Sequence, residues 1–373
     1  MCTTERFRSQ ARRPFLDFCA LSLLLAVFPL ITNSAADTNR QAKTVFPNSC
    51  RQNQNDEKIV ALWQAVADHP TAGAYNTLGA LYASADRVAC AIPAFESALY
   101  LDPSNWESHY NLALALVRKG EGARAAKELR SAIEQKPDSA AAHLALGSLL
   151  KETGKVADAA DEFKRTLAID PRESEASLAM AQIATESGNY SAAIGTLEAA
   201  LALSPPSDQA EPLQAALANA YAQNGDTRRG HSILRALIAN QPNSADAHFA
   251  LGLFAMTFGQ LASTEEAEGE FREALRLDPK MDKPCLYLGK IFVSQKRYGE
   301  ALPVLREFVV HEPNNAQGFY VLGLAYEGER QLKEAAHALQ HAANLDPKNA
   351  DIRYELGGLL AEEGRATEAV TQL

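Results

Sequence analysis

From Ala72 to Asn105 the chain reads AGAYNTLGALYASADRVACAIPAFESALYLDPSN, and its apolar positions recur with the period of a helix. Leu78, Leu81 and Tyr82 are spaced by three and four, and Ala91, Phe95, Ala98 and Leu99 repeat that spacing after a polar break. The stretch therefore predicts two amphipathic helices joined by a short turn. Asp102-Pro103 closes the pair, because proline lacks an amide donor and pushes the preceding residue toward extended geometry.

The same unit recurs down the chain. A column of small residues steps from Gly79 to Ala113, Gly147 and Ala181, and on to Ala218, Gly252, Gly289, Gly323 and Gly357. The steps are 34 residues except for two of 37, from Ala181 to Ala218 and from Gly252 to Gly289, each a three-residue insertion. A proline column keeps pace at Pro103, Pro137, Pro171, Pro205, Pro242, Pro279, Pro313 and Pro347. At Leu78, Gly79, Tyr82, Ala91, Phe95, Ala98 and Pro103 the unit resembles a tetratricopeptide repeat. The resemblance implies an all-α fold, a right-handed α-solenoid (superhelix) of helix-turn-helix repeats. Eight full repeats begin at Ala72, Trp106, Ala140, Ser174, Glu211, Ala245, Asp282 and Ala316, and a truncated ninth begins at Ala350, so the array fills 72–373.

Small columns at Gly147, Ala159, Gly289 and Ala301 mark close helix crossings, where interaxial distances of about 8 to 10 Å leave little room for side chains. Glycines in Lys119-Gly120-Glu121-Gly122, Thr153-Gly154-Lys155 and Glu186-Ser187-Gly188-Asn189 supply the left-handed stop of a helix. The insertion at Pro205-Pro206-Ser207-Asp208 falls between repeats, and the one near Gly259 to Ser263 lengthens a hairpin turn.

Ahead of the array, Arg6, Arg8, Arg12 and Arg13 lead into an apolar run from Phe18 to Ile31, with Ser34 and Ala36 beyond it. That is the layout of a cleaved secretory signal over 1–36, with the cut before Asp37. The run holds Pro29 and is shorter than the roughly 20 residues a membrane span needs. Arg12-Arg13 leaves the general and the twin-arginine export routes both open. Residues 37–55 are polar and aperiodic and read as a flexible linker. Residues 56–71 read as an N-terminal capping helix with Ile59, Leu62, Trp63 and Val66 on one face, Trp63 as a core anchor. The expected protein is thus exported, periplasmic or secreted, with no membrane span after cleavage.

Charge narrows the partner class. The chain carries 36 Lys and Arg against 46 Asp and Glu, a net charge of −10, and has no basic block beyond the leader. Such a chain is a poor match for nucleic acid, whose phosphates call for clustered cations. No metalloprotease, nucleophile-elbow, P-loop or Cys-x-x-Cys motif occurs, and the repeats leave no segment for a catalytic domain. The expectation is a non-enzyme with no cofactor and no metal site. His337 and His341 share a helix face without a third ligand nearby in sequence, which reads as a solvated face. His109, His143 and His248 fall four residues before the small column, where the resembled family places a ring wedged between hairpins. Asn189-Tyr190-Ser191 is a glycosylation sequon that matters only in a eukaryotic source. After cleavage the cysteines are Cys50, Cys90 and Cys285; either Cys50 and Cys90 form a disulfide, or all three remain thiols.

In the resembled family the concave groove is lined by one stripe of each first helix. Here that stripe comprises Tyr110, Leu114, Leu144, Leu178, Phe249, Leu253, Met256, Leu286, Tyr320, Leu324 and Tyr354, with its earliest positions shared between groove and core. Phe249, Met256 and Tyr320 are expected to take a partner's apolar side chains. Neither the Lys/Arg/Asn set of carboxylate-gripping relatives nor an asparagine ladder is present: Asn76, Asn111 and Asn219 do not line up. The last helix, Ala366 to Leu373, has Ala369, Val370 and Leu373 as apolar residues and no capping helix after it. That end either frays or is covered, by a partner or by self-association with a second copy. The function expected is a scaffold that binds partner peptide or helix segments in an apolar groove. The alternatives are a subunit of an envelope assembly or secretion complex, and a regulatory partner of a separate enzyme such as a glycosyltransferase.

Overall fold

The structure, a computed structural model, describes Cys50 and residues 57–259 and 263–372. The expected leader, and the expected linker apart from Cys50, lie outside the described residues. The chain divides between Pro205 and Pro206 into two compact units. Both are all-α solenoids of stacked helical hairpins, in which each second helix packs on the first helix of the next hairpin.

The N-terminal unit contains α1 (Glu57–Asp68), α2 (Ala72–Ser84), α3 (Val88–Leu101), α4 (Trp106–Arg118), α5 (Gly122–Gln135), α6 (Ala140–Glu152), α7 (Val156–Ile169), α8 (Ser174–Glu186) and α9 (Tyr190–Ala202). Helix α1 lies on the first hairpin through buried Ile59 and Val66, the latter against Tyr75 and Ala98. Trp63 Nε1 donates to the Tyr82 hydroxyl at 2.6 Å, and that hydroxyl donates to the Cys50 carbonyl at 2.6 Å. Cys50 is disulfide-bonded to Cys90 on α3. Indole, phenol and disulfide together fasten the segment ahead of the array to its first hairpin.

The C-terminal unit contains α10 (Ser207–Gln223), α11 (Thr227–Asn240), α12 (Ala245–Phe258), α13 (Ser263–Leu277), α14 (Asp282–Ser294), α15 (Tyr298–His311), α16 (Ala316–Gly328), α17 (Leu332–Leu345), α18 (Ala350–Glu362) and α19 (Ala366–Gln372). The first insertion does not stay outside the helices as the repeat columns suggest. Helix α10 begins at Ser207 rather than Glu211 and runs for 17 residues, because Pro206 presets the entry geometry and Asp208 complements the first-turn amides. On α19, Ala369 is buried while Val370 is 75% exposed.

Local chemistry sets the helix limits. Thr71, Asn105, Ser139, Ser244, Asn315 and Asn349 each cap a first helix by accepting an amide hydrogen bond from the residue three positions on. The hairpin turns need one left-handed residue. Glycine supplies it at Gly120, Gly154, Gly188, Gly225 and Gly364, but Asp86, Lys296 and Arg330 take the same conformation at φ 58°, 60° and 60°. There the turn geometry overrides the steric cost of a side chain.

Within each hairpin the small column meets a large side chain from the second helix. Gly79 faces Phe95, Gly147 faces Phe163 and Gly252 faces Phe271, so closely that an added Cβ would lie 2.5 to 2.8 Å from a ring carbon. Where the column holds alanine, at Ala113, Ala181 and Ala218, the position occupied by those phenylalanines holds leucine, at Leu129, Leu197 and Leu234, and all six are buried. Gly289 and Gly323 face Leu305 and Leu339 instead, so in none of these pairs does an alanine in the column meet a phenylalanine.

Candidate functional site

The first helices present one face at which side chains are left partly uncovered. In the C-terminal unit, Met256 is 40% exposed and Tyr354 is 69% exposed. Phe249, Leu253, Leu286, Tyr320 and Leu324 are half-buried on the same stripe. Of these, Phe249, Leu253, Leu286 and Tyr320 pack against the core. Phe249 in particular lies 5.8 Å from Phe271 and 5.9 Å from Tyr287, whose rings stack on each other at 5.5 Å. Loss of the Phe249 ring therefore disturbs packing as well as any contact it offers to a partner. In the N-terminal unit Tyr110, Leu114, Leu144 and Leu178 are half-buried, Tyr110 and Leu144 against the core.

Polar groups on this face are unevenly distributed. Lys290 Nζ sits 5.3 Å from the Tyr287 ring centre, and burial holds its ammonium below the usual lysine range. Further along, the Tyr320 phenol is held above its ordinary value, first by burial and then by the charges of Glu355, Asp351 and Glu327. Glu327 is also pushed up, by burial first and then by Glu355 and Glu362. The N-terminal unit has a counterpart: burial, then Glu175 and Glu173, raises the Tyr110 phenol. Each unit thus sets a tyrosine among carboxylates. Asparagines do meet once: Asn111 Nδ2 donates to Asn76 Oδ1 at 3.2 Å, bridging α4 and α2.

Three of the histidines form a recurring clamp that the sequence columns do not reveal. Nδ1 of His109, His143 and His248 contacts Glu128, Glu162 and Glu270 at 2.6 to 2.7 Å. Nε2 of each faces the carbonyl of Pro103, Pro137 or Pro242 at 3.0 to 3.2 Å. The ring ties the loop before its helix, the junction from the preceding hairpin, to the second helix of its own repeat. His341 stacks edge-on to Phe319 at 4.1 Å, so only His337 of that pair is on an open face. Cys285 is buried. Among the described residues no group of three or more His, Cys, Asp or Glu is placed to hold a metal ion, and no helix is long and apolar enough to cross a membrane.

Comparison with known proteins bears on what this face is for. Residues 124–373 match the family model of the cilia and flagella-associated protein 70 C-terminal domain, and residues 82–149 match that of the tetratricopeptide repeat. Protein O-mannosyl-transferase Tmtc3 of Drosophila melanogaster is 26% identical over 147 residues, 39% of this chain and 16% of the relative. Type IV pilus assembly protein PilF of Pseudomonas aeruginosa is 29% identical over 149 residues, 39% of this chain and 58% of the relative. The matches thus span less than two thirds of either relative. Among solved structures, the APC/C hetero-tetramer Cut9-Hcn1 aligns with a TM-score of 0.51 at 18% identity, over 77% of this chain and 58% of that one, which shows a common fold alone.

Proposed function

The chain belongs to the tetratricopeptide-repeat family, its larger part matching the cilia and flagella-associated protein 70 C-terminal type, and from that premise we propose that it is an exported, non-catalytic scaffold. The fold is that of a protein-interaction scaffold. The observation that carries the proposal is the first-helix stripe itself, on which Met256 and Tyr354 are exposed and Tyr320 and Leu324 half-buried. Large apolar side chains grouped on one face mark a surface that a partner covers. A peptide or helix segment laid along this groove would bury them, with the core-backed aromatics as rigid anchors.

Export is supported by the arginine-led apolar leader and by the Cys50–Cys90 disulfide, a bond that persists in oxidising compartments. Sequencing the N-terminus of protein recovered from the cell envelope or medium tests this, with Asp37 expected first. A second reading is favoured by the similarity to a protein named for type IV pilus assembly: the chain would then be a permanent subunit of an envelope assembly. Both readings are tested by affinity capture with the wild-type chain and with a Met256→Ser, Tyr354→Ser variant. The variant is expected to lose the captured partner while keeping wild-type helicity and Tm. Capture unaffected by the substitutions would overturn the groove assignment, and a fixed stoichiometry through native purification would favour the permanent subunit.

A further inference from the structure

Lys290 is a cation at a place where its neighbours on the groove stripe are apolar. On α14 it stands four residues after Leu286 and three before Val293, so the three share one face, and all are half-buried. Its Nζ lies 5.3 Å from the centre of the Tyr287 ring, close enough for the ring to attract the ammonium. That ring is itself packed: it stacks on Phe271 at 5.5 Å and meets Phe249 of α12 at 5.9 Å. The ammonium thus rests beside a fixed aromatic cluster.

What the ammonium lacks is an oxygen. Other cations that lie on rings of this unit have one. Arg297, 4.5 Å from the Phe292 ring, holds Glu268 and Glu300, and Arg272, 5.7 Å from the same ring, also holds Glu268. Arg306 donates to the hydroxyl of Tyr326, the ring it covers. In the N-terminal unit half-buried Lys151 donates to Gln182. Among the described residues, Lys290 and Lys136 are the half-buried lysines with no hydrogen-bond or ion-pair acceptor. Lys136 follows the last turn of α5, where the carbonyl end of a helix favours a positive charge. Lys290 lies a full turn inside α14 and has no such compensation. Burial holds its ammonium below the usual lysine range. A cation partly withdrawn from water with its donors unfilled is costly, and an incoming carboxylate relieves that cost through a charge-assisted hydrogen bond.

Resting on the groove reading above, we propose that Lys290 anchors an acidic side chain, aspartate or glutamate, of a partner segment whose flanking side chains are apolar. Charge complementarity at the ammonium selects the acid. Leu286 and Val293 on either side of it, with Met256 exposed on α12, select the apolar flanks. The carboxylate is that of a side chain and not of a chain end, because the stripe continues past Lys290 in both directions, to Leu253 on α12 and to Leu324 on α16. Nucleic acid is a poor match, since its phosphates call for clustered cations and not for one ammonium among apolar side chains.

The test selects a random-peptide library on the full chain, displayed through the peptide C-terminus so that every carboxylate offered is a side chain. Peptides with Asp or Glu between apolar residues are expected to be enriched. One of them, labelled and blocked at both ends, should lose about tenfold in affinity by fluorescence anisotropy when its acid is replaced by the amide, the factor that about 1.4 kcal/mol represents. On a Lys290→Met variant, which keeps an apolar stem over Tyr287, the acid and amide peptides should bind alike, and Lys290→Arg should restore most of the difference. The Tm of Lys290→Met should not fall, because the change removes an unpaired half-buried charge, so a lost preference would not be lost folding. Enrichment of apolar peptides without an acid, weakened by Met256→Ser, would overturn the role of Lys290 and leave the groove reading standing. Acidic peptides whose affinity is indifferent to Lys290→Met would do the same. No enrichment of any peptide would overturn both.

Discussion

Substituting Gly147 with alanine puts a methyl group where the Phe163 ring already is. The new Cβ would sit 2.8 and 2.9 Å from two ring carbons and 3.2 Å from a third, whereas carbons rest comfortably at about 3.5 to 4.0 Å. Phe163 is 1% exposed, so the ring has no free space to retreat into, and α6 and α7 must part instead. Overpacking of this kind costs about 1 to 3 kcal/mol, against a gain of about 1 kcal/mol from replacing a mid-helix glycine. The expected net effect is a loss of about 0 to 2 kcal/mol. Gly195→Ala and Gly269→Ala are the controls, because an added Cβ meets nothing within 4 Å at either helix position. They should show the gain alone, about 0.5 to 1 kcal/mol. Phe163→Leu by itself should cost about 1 to 2 kcal/mol through the space it leaves. Combined with Gly147→Ala it recreates the alanine–leucine pair of Ala113 and Leu129, so the double variant should be more stable than the sum of the singles by at least about 1 kcal/mol. Because repeat arrays unfold as coupled neighbours, the readout is hydrogen exchange in α6 and α7 alongside denaturant melts. Strict additivity, or a Gly147→Ala variant as stable as the two controls, would refute the packing argument.

Three further outcomes follow from the geometry. His143→Ala removes both arms of a clamp whose histidine is 3% exposed and should destabilise the N-terminal unit by about 2 to 3 kcal/mol; His231→Ala, whose ring is more than a third exposed beside Glu266, should cost less than about 1 kcal/mol in the same melt. Reducing the Cys50–Cys90 bond, or Cys90→Ser, releases a span of 40 residues and should lower the stability of the first hairpin by about 4 kcal/mol on a chain-entropy argument, read as a reductant-dependent Tm. Glu327 has a folded pKa raised by burial and by Glu355 and Glu362, so the folded state binds its proton more readily than the unfolded chain. Its ionisation costs stability as pH rises from the ordinary value of 4.5 through the folded value; Glu327→Gln should therefore raise Tm at neutral pH and lose that advantage below the ordinary value, and an unchanged difference across the titration would contradict the sign.

The sequence by itself determined the helical hairpin, its repetition and its columns. Periodicity of three and four within a segment, a glycine at the turn and a proline after the second helix are local signals, each written within a few residues of the structure it specifies. The column from Gly79 to Gly357 and the faces of Leu78 and Phe95 could be read in this way. Only the tertiary structure decided which side chains meet across helices. The match of Gly147 with Phe163, the closure of His143 onto Glu162, and the hydroxyl of Tyr82 between Trp63 and Cys50 link residues 16 to 32 positions apart, where the hairpin geometry and not the intervening sequence fixes the distance. Turns at Asp86, Lys296 and Arg330 adopt a left-handed form that their residue types disfavour, because the packing of the flanking helices outweighs a local preference of about 1 kcal/mol. The first-helix stripe could be located from spacing, but the exposure of Met256 and Tyr354 and the burial of Phe249 against Phe271 depend on neighbouring repeats. A helical period says which residues share a face; what that face touches is set by the next helix in the stack.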